Sequence, residues 1–123
     1  MPDYPYSELT KQIIGCLFSA FKDLGYGYQE KYYQRAFAVE LREANLSFEK
    51  EKKKTIQTHN VIIGRYFVDF LIDKKVAVEM KVAENFYPNQ INQLLAYMKS
   101  MKIKVGLLAI VTTKGVRIKR LIN

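Results

Sequence analysis

The stretch Val105-Gly106-Leu107-Leu108-Ala109-Ile110-Val111 constrains this chain more than any other, because it carries no polar side chain at all. A strand of that kind is buried on both faces, as strands inside α/β sheets are. It needs covering layers on each side, and the flanking sequence supplies them. Residues 7–24 read as an amphipathic helix. Ile13, Ile14, Leu17, Phe18 and Phe21 form one i, i+3, i+4 stripe, Ser7 serves as N-cap, and Gly25 takes the left-handed C′ position. A second helix runs from about Tyr28 to Asn45 with Tyr33, Phe37 and Leu41 inward. Phe48 to Thr58 is a Lys-rich edge strand whose charges discourage edge-to-edge pairing. After a His59-Asn60 turn come two β-rich runs, Val61–Ile72 and Val76–Val82, around Asp73-Lys74-Lys75. Pro88 opens a helix to about Met101, with Ile91, Leu94, Leu95 and Met98 as its stripe. Lys114-Gly115 turns the chain into a last basic strand, Val116 to Ile122. The order α-α-β-β-β-α-β-β implies an α/β domain with a mixed sheet, one unit over residues 1–123.

Charge narrows the function classes. Twenty Lys and Arg stand against twelve Asp and Glu, giving +8 and a pI near 9.5. A polyanionic partner such as nucleic acid suits that balance, although a merely basic soluble protein would show it too. The single cysteine, Cys16, excludes an internal disulfide and a Cys-based metal site, and its apolar surroundings suit a buried thiol in a reducing cytoplasm. The opening residues lack the basic and apolar regions of a signal peptide, and no apolar run approaches the ~18 residues that would suggest a membrane span. There is no Gly-rich phosphate loop of Walker type.

The chemistry concentrates on two strands. In Val76–Val82 the period of two puts Ala77, Glu79 and Lys81 on one face. On the neighbouring strand Asp69 lies between Phe67 and Leu71, which predicts a covered face, where a lone carboxylate is costly unless paired or metal-bound. A three-residue loop at Asp73-Lys74-Lys75 would set Asp69 opposite Glu79, whereas a two-residue loop would send the carboxylates to opposite faces. Two carboxylates ~5 Å apart on one face need a neutralising cation. Mg²⁺ is the default hard ion for oxygen ligands, with Mn²⁺ as substitute. Lys81 beside them would hold a water nucleophile or neutralise phosphate charge. Such a set suits phosphodiester hydrolysis and suits neither hydride nor acyl transfer.

Gly27-Tyr28-Gln29-Glu30-Lys31-Tyr32-Tyr33 resembles the signature of the GxxExxY protein family, which looks like a compact branch of the PD-(D/E)xK nuclease-like superfamily. The resemblance runs from Ile13-Ile14-Gly15 and Leu24-Gly25 through Val68-Asp69-Phe70-Leu71, Val78-Glu79-Met80-Lys81, Gln93-Leu94-Leu95-Ala96-Tyr97 and Val105-Gly106-Leu107-Leu108 to Lys119-Arg120-Leu121-Ile122. It implies a restriction-endonuclease-like α-β-β-β-α-β core with helices flanking a mixed central sheet. It implies Asp69 and Glu79 as metal ligands, Lys81 as catalytic lysine, Glu30 as the acid from the first core helix, and Gln93 as the glutamine of the helix after the Lys strand. Three departures stand out: Tyr26 where the family often has Pro, Gln90 where it often has His, and Ala109-Ile110-Val111 where it often has Asn-Phe.

Glu30 otherwise reads as a helix-capping acid, and His59, the only histidine, as a turn residue. Lys52 and Lys54 on the edge strand, with Tyr97, one turn after Gln93, are the expected nucleic-acid contacts. The leading expectation is an Mg²⁺-dependent nuclease acting on nucleic acid, DNA ahead of RNA, with a homodimer extending its small surface. The competing readings are a non-catalytic nucleic-acid- or partner-binding module on the same fold, and a structural subunit of a larger assembly.

Overall fold

The computed structural model describes residues 5–123; the reading of the leader-free start therefore lies partly outside them, at residues 1–4. The elements are α1 (Ser7–Leu24), α2 (Glu30–Glu43), β1 (Phe48–Thr58), β2 (Val61–Ile72), β3 (Val76–Val82), α3 (Pro88–Met101), β4 (Val105–Thr112) and β5 (Gly115–Ile122). The five strands form one mixed sheet in chain order. Only β3 and β4 run parallel, because α3 carries the chain back between them, while the other neighbours are joined by turns. This is an α/β fold of the restriction-endonuclease-like kind.

Two apolar layers result. On one face Ile13, Leu17 and Ala20 of α1 and Tyr33, Phe37 and Leu41 of α2 pack with Phe70, Ile72, Val76, Val78, Met80 and Leu107. Phe37 meets Phe70 edge-on, with centroids 4.9 Å apart. On the other face Leu94, Tyr97 and Met98 of α3 cover Val68, Leu71, Ala77, Leu108 and Leu121. Every residue of β4 is buried, as its composition requires. Its Gly106 lets α3 approach, since a Cβ there would lie 2.5 Å from the Met98 sulfur. Burial of these side chains outweighs the weak intrinsic preferences of short helices.

Several local expectations are corrected. Tyr6, not Ser7, is the residue before α1, and no side chain caps the helix. Phe18, at 50% exposed, lies off the buried stripe. Gly25 has positive φ (71°) but an extended ψ, so it is not in the left-handed helical region. The second helix starts at Glu30 and ends at Glu43, two residues inside each expected limit.

Candidate active site

β2 and β3 pair through only three positions, Phe70 with Val78, Leu71 with Ala77 and Ile72 with Val76. The connecting loop is Asp73-Lys74-Lys75, closed by the Lys75 N–H to the Ile72 carbonyl at 2.9 Å. Extending this register places Asp69 opposite Glu79, but there the regular ladder stops. Asp69 is also unpaired on its other side: the β1–β2 ladder joins Lys50 to Phe70 and Lys52 to Val68 and skips the position between. Opposite it, Glu51 has φ of 52°. The chain twists through this point. Val68 joins the α3 layer and Phe70, two residues on, joins the α1–α2 layer. Phe67 is 53% exposed, so the expected cover over Asp69 extends to Leu71 alone.

The two carboxylates fill the gap the ladder leaves. Oε1 of Glu79 accepts the Asp69 backbone N–H at 2.9 Å. Oδ2 of Asp69 accepts the Met80 N–H at 2.8 Å. The strands thus open into a fork whose inner lining is acidic. Lys81 Nζ lies 3.9 Å from the second oxygen of Glu79, and the side chains are 32% and 15% exposed respectively. Burial raises the Glu79 carboxyl to about 8, helped by the Asp69 charge and opposed by the Asp69 amide and by Lys81. Burial raises Asp69 as well, against the pull of the Met80 amide and Lys81.

Glu30 is the first residue of α2, where the helix dipole favours an anion. Its Oε1 accepts the Val82 N–H at 3.3 Å, at the end of the Glu79 strand. Its charge raises both Asp69 and Glu79. Gln34 donates to its other oxygen at 3.5 Å. Gln93 is exposed on α3 and makes none of the bonds that tie the pair together. Gln90, one turn earlier, is the glutamine whose side-chain oxygen is buried, without a hydrogen-bond partner; its position four before Leu94 and seven before Tyr97 was the signal for it.

The expected nucleic-acid contacts divide. Tyr97 is fully buried within the α3 layer and has no surface to offer, so it is not a contact residue. Lys52 is held by Glu49 at 2.8 Å. Lys54 lines a groove with Thr55, Ile56, Gln57 and Ser100.

The donor set bears on which ion would fit. Asp69 and Glu79 offer oxygen only, and among the described residues no three His, Cys, Asp or Glu side chains gather into a closed cage. Two carboxylates without a cage suit Mg²⁺ or Mn²⁺, which keep several waters and bind through one or two carboxylates.

The profile of the PD-(D/E)XK nuclease superfamily matches residues 7–121. The chain belongs to that superfamily. Among solved structures, one described as the crystal structure of SSO0001 superposes with a TM-score of 0.59 at 17% identity, over 95% of this chain. This chain spans 58% of that protein's length. At that identity the likeness concerns the fold alone. No curated protein matches the sequence. Asp69, Glu79 and Lys81 lie together at the fork within the matched span.

Proposed function

We propose that this PD-(D/E)XK protein is a metal-dependent nuclease of the GxxExxY type, hydrolysing phosphodiester bonds in DNA or RNA. The observation that carries the reading is the fork itself, two largely buried carboxylates that accept each other's strand amides with Lys81 alongside. A purely structural pair would leave two neighbouring acids in a low-dielectric site with one lysine beside Glu79, an arrangement that costs stability unless a cation joins it.

Asp69 and Glu79 would hold Mg²⁺, or Mn²⁺ in its place. When bound, such an ion neutralises phosphate charge and lowers the pKa of a coordinated water. The chain's own residues do the rest. The Asp69 and Met80 amides orient the two carboxylates and fix which oxygens stay free. Lys81 orients the attacking water and meets charge that develops on the phosphate oxygens. Glu30 adds negative charge at the site and supports the water's deprotonation, anchored by the Val82 amide. Gln93, at the surface of α3, would touch substrate rather than the carboxylates. The +8 charge suits a polyanionic substrate, and a homodimer would enlarge the surface available to it. A cytoplasmic setting fits the single, buried thiol of Cys16, and no helix of the described residues is long and apolar enough to cross a membrane.

The test incubates wild type and Glu79→Ala with single- and double-stranded DNA and RNA in Mg²⁺, Mn²⁺ or EDTA. Metal-dependent cleavage lost in the variant supports the reading. Binding without cleavage in every condition rejects it in favour of a non-catalytic binding module.

A further inference from the structure

We infer that Arg117 and Lys119 on β5, organised by Phe86, form a backbone-phosphate clamp that positions nucleic acid across the sheet from the fork; the inference rests on the nuclease reading above. The strand register places them. Lys81 pairs with Ile110, and Ile110 pairs with Arg117. Glu79 pairs with Leu108, and Leu108 pairs with Lys119. Directly opposed residues share a face, so each row starts at a fork residue, crosses a buried apolar residue of β4 and ends on a cation. The packing agrees. Val116 and Ile118 pack against the α1–α2 layer, while Leu121 belongs to the α3 layer, which puts Arg117 and Lys119 on the α3 side with Glu79 and Lys81.

Both cations are exposed, and no carboxylate of the described residues pairs with either. Phe86 holds them instead. The Arg117 guanidinium lies 5.2 Å from the ring centroid and the Lys119 ammonium 6.0 Å from it. Stacking on an aromatic face orients a guanidinium while leaving its donors open to phosphate. The loop bearing Phe86 is itself fixed to the β4–β5 turn, since Glu84 accepts the Thr113 backbone N–H and hydroxyl, each at 2.9 Å. Adjacent strands lie ~4.8 Å apart, so the clamp backbone is ~10 Å from that of Lys81. Contacts of this type fix register without reading sequence.

The test measures affinity of short labelled DNA and RNA strands, single and double, in EDTA across a salt series. The proteins are wild type, Arg117→Gln/Lys119→Gln, Phe86→Leu, and a charge-matched control, Lys11→Ala/Lys22→Ala on α1. Glutamine keeps the stems, and thermal melting verifies folding of each protein. The clamp predicts a tenfold or greater loss for the β5 pair and a salt slope shallower by roughly 1.4 to 1.8, for two contacts at ~0.7 to 0.9 each. Phe86→Leu should lose about twofold to fivefold. In Mg²⁺ the β5 pair should raise KM more than it lowers kcat. Equal losses in the β5 and α1 pairs, or none in the β5 pair while wild type binds and cuts, overturn the clamp alone. A wild type that binds no nucleic acid overturns the nuclease reading and the clamp with it.

Discussion

The backbone amide of Asp69 donates to the Glu79 side chain at 2.9 Å, where a sheet would normally place a carbonyl. The Asp69 carboxylate does the same for Met80 across the gap at 2.8 Å. Each acid is therefore both a strand connector and a titratable group with little water around it. The sheet stays joined at the cost of confining two carboxyl groups in one fork.

That confinement makes the metal-free protein sensitive to pH. Burial, with the Asp69 charge, raises Glu79 from 4.5 to about 8. A raised carboxyl means that the folded state binds the proton more tightly than the unfolded one. The contribution is full below pH 4.5 and is lost as pH rises to about 8. In EDTA, unfolding free energy should fall across that window, with ~1.4 kcal/mol per pK unit as the scale, and the melting temperature should fall with it. Mg²⁺ should restore stability at pH 8 and do little at pH 5. Scanning calorimetry reads both, and a flat profile between pH 5 and 8 would contradict the fork's electrostatics.

Glu79→Gln removes one charge and keeps an oxygen for the Asp69 amide. In EDTA at pH 8 the variant should melt several degrees above wild type, since ~1 kcal/mol is worth about 4 °C in a domain of this size. It should gain nothing from Mg²⁺ and should not cleave. A variant less stable than wild type in EDTA would mean that the negative charges are not in conflict.

Lys81→Met separates catalysis from metal binding. Cleavage should drop by roughly 10²–10³-fold, as for loss of a charge aimed at the transition state. The stabilisation by Mg²⁺ should persist. Lys81 holds both acids down, so its loss should move the pH window of the metal-free protein upward. Loss of the Mg²⁺ response would make Lys81 part of the binding site instead.

Tyr97 carries a buried hydroxyl without a hydrogen-bond partner, and burial pushes its pKa up to about 12. Tyr97→Phe should therefore be neutral or stabilising by up to about 1–3 kcal/mol, the usual cost of an unmet buried polar group. Nucleic-acid affinity should not change. Denaturant unfolding and an anisotropy titration check the two halves separately.

Gly106→Ala tests the approach of α3. The new methyl would meet the Met98 sulfur at 2.5 Å and Leu94 at 3.3 Å. A loss of about 1–3 kcal/mol is expected. Met98→Ala in the same chain should recover part of it by vacating the space. A double variant no better than the sum of its parts would place the strain elsewhere.

By itself the sequence determined the elements and their order, because helical and strand periodicities are local and strong here. A register with Asp69 opposite Glu79 requires a three-residue loop, and Asp73-Lys74-Lys75 forms it. Tyr97 was misread because its place beside the apolar stripe was compatible with either cleft or core. Its packing with Leu94 and Met98 in the α3 layer makes it core. Arg117, Lys119 and Phe86 were invisible as a set, since their proximity depends on β4 lying between β3 and β5 and on Glu84 holding the Thr113 turn. The fork was half legible. Residue types and alternation put both acids on adjoining strands, but the ladder's break at Asp69 comes from a twist shared with Glu51 on a third strand. Local patterns specify which face a side chain takes, and only the packing of distant segments specifies what it meets there.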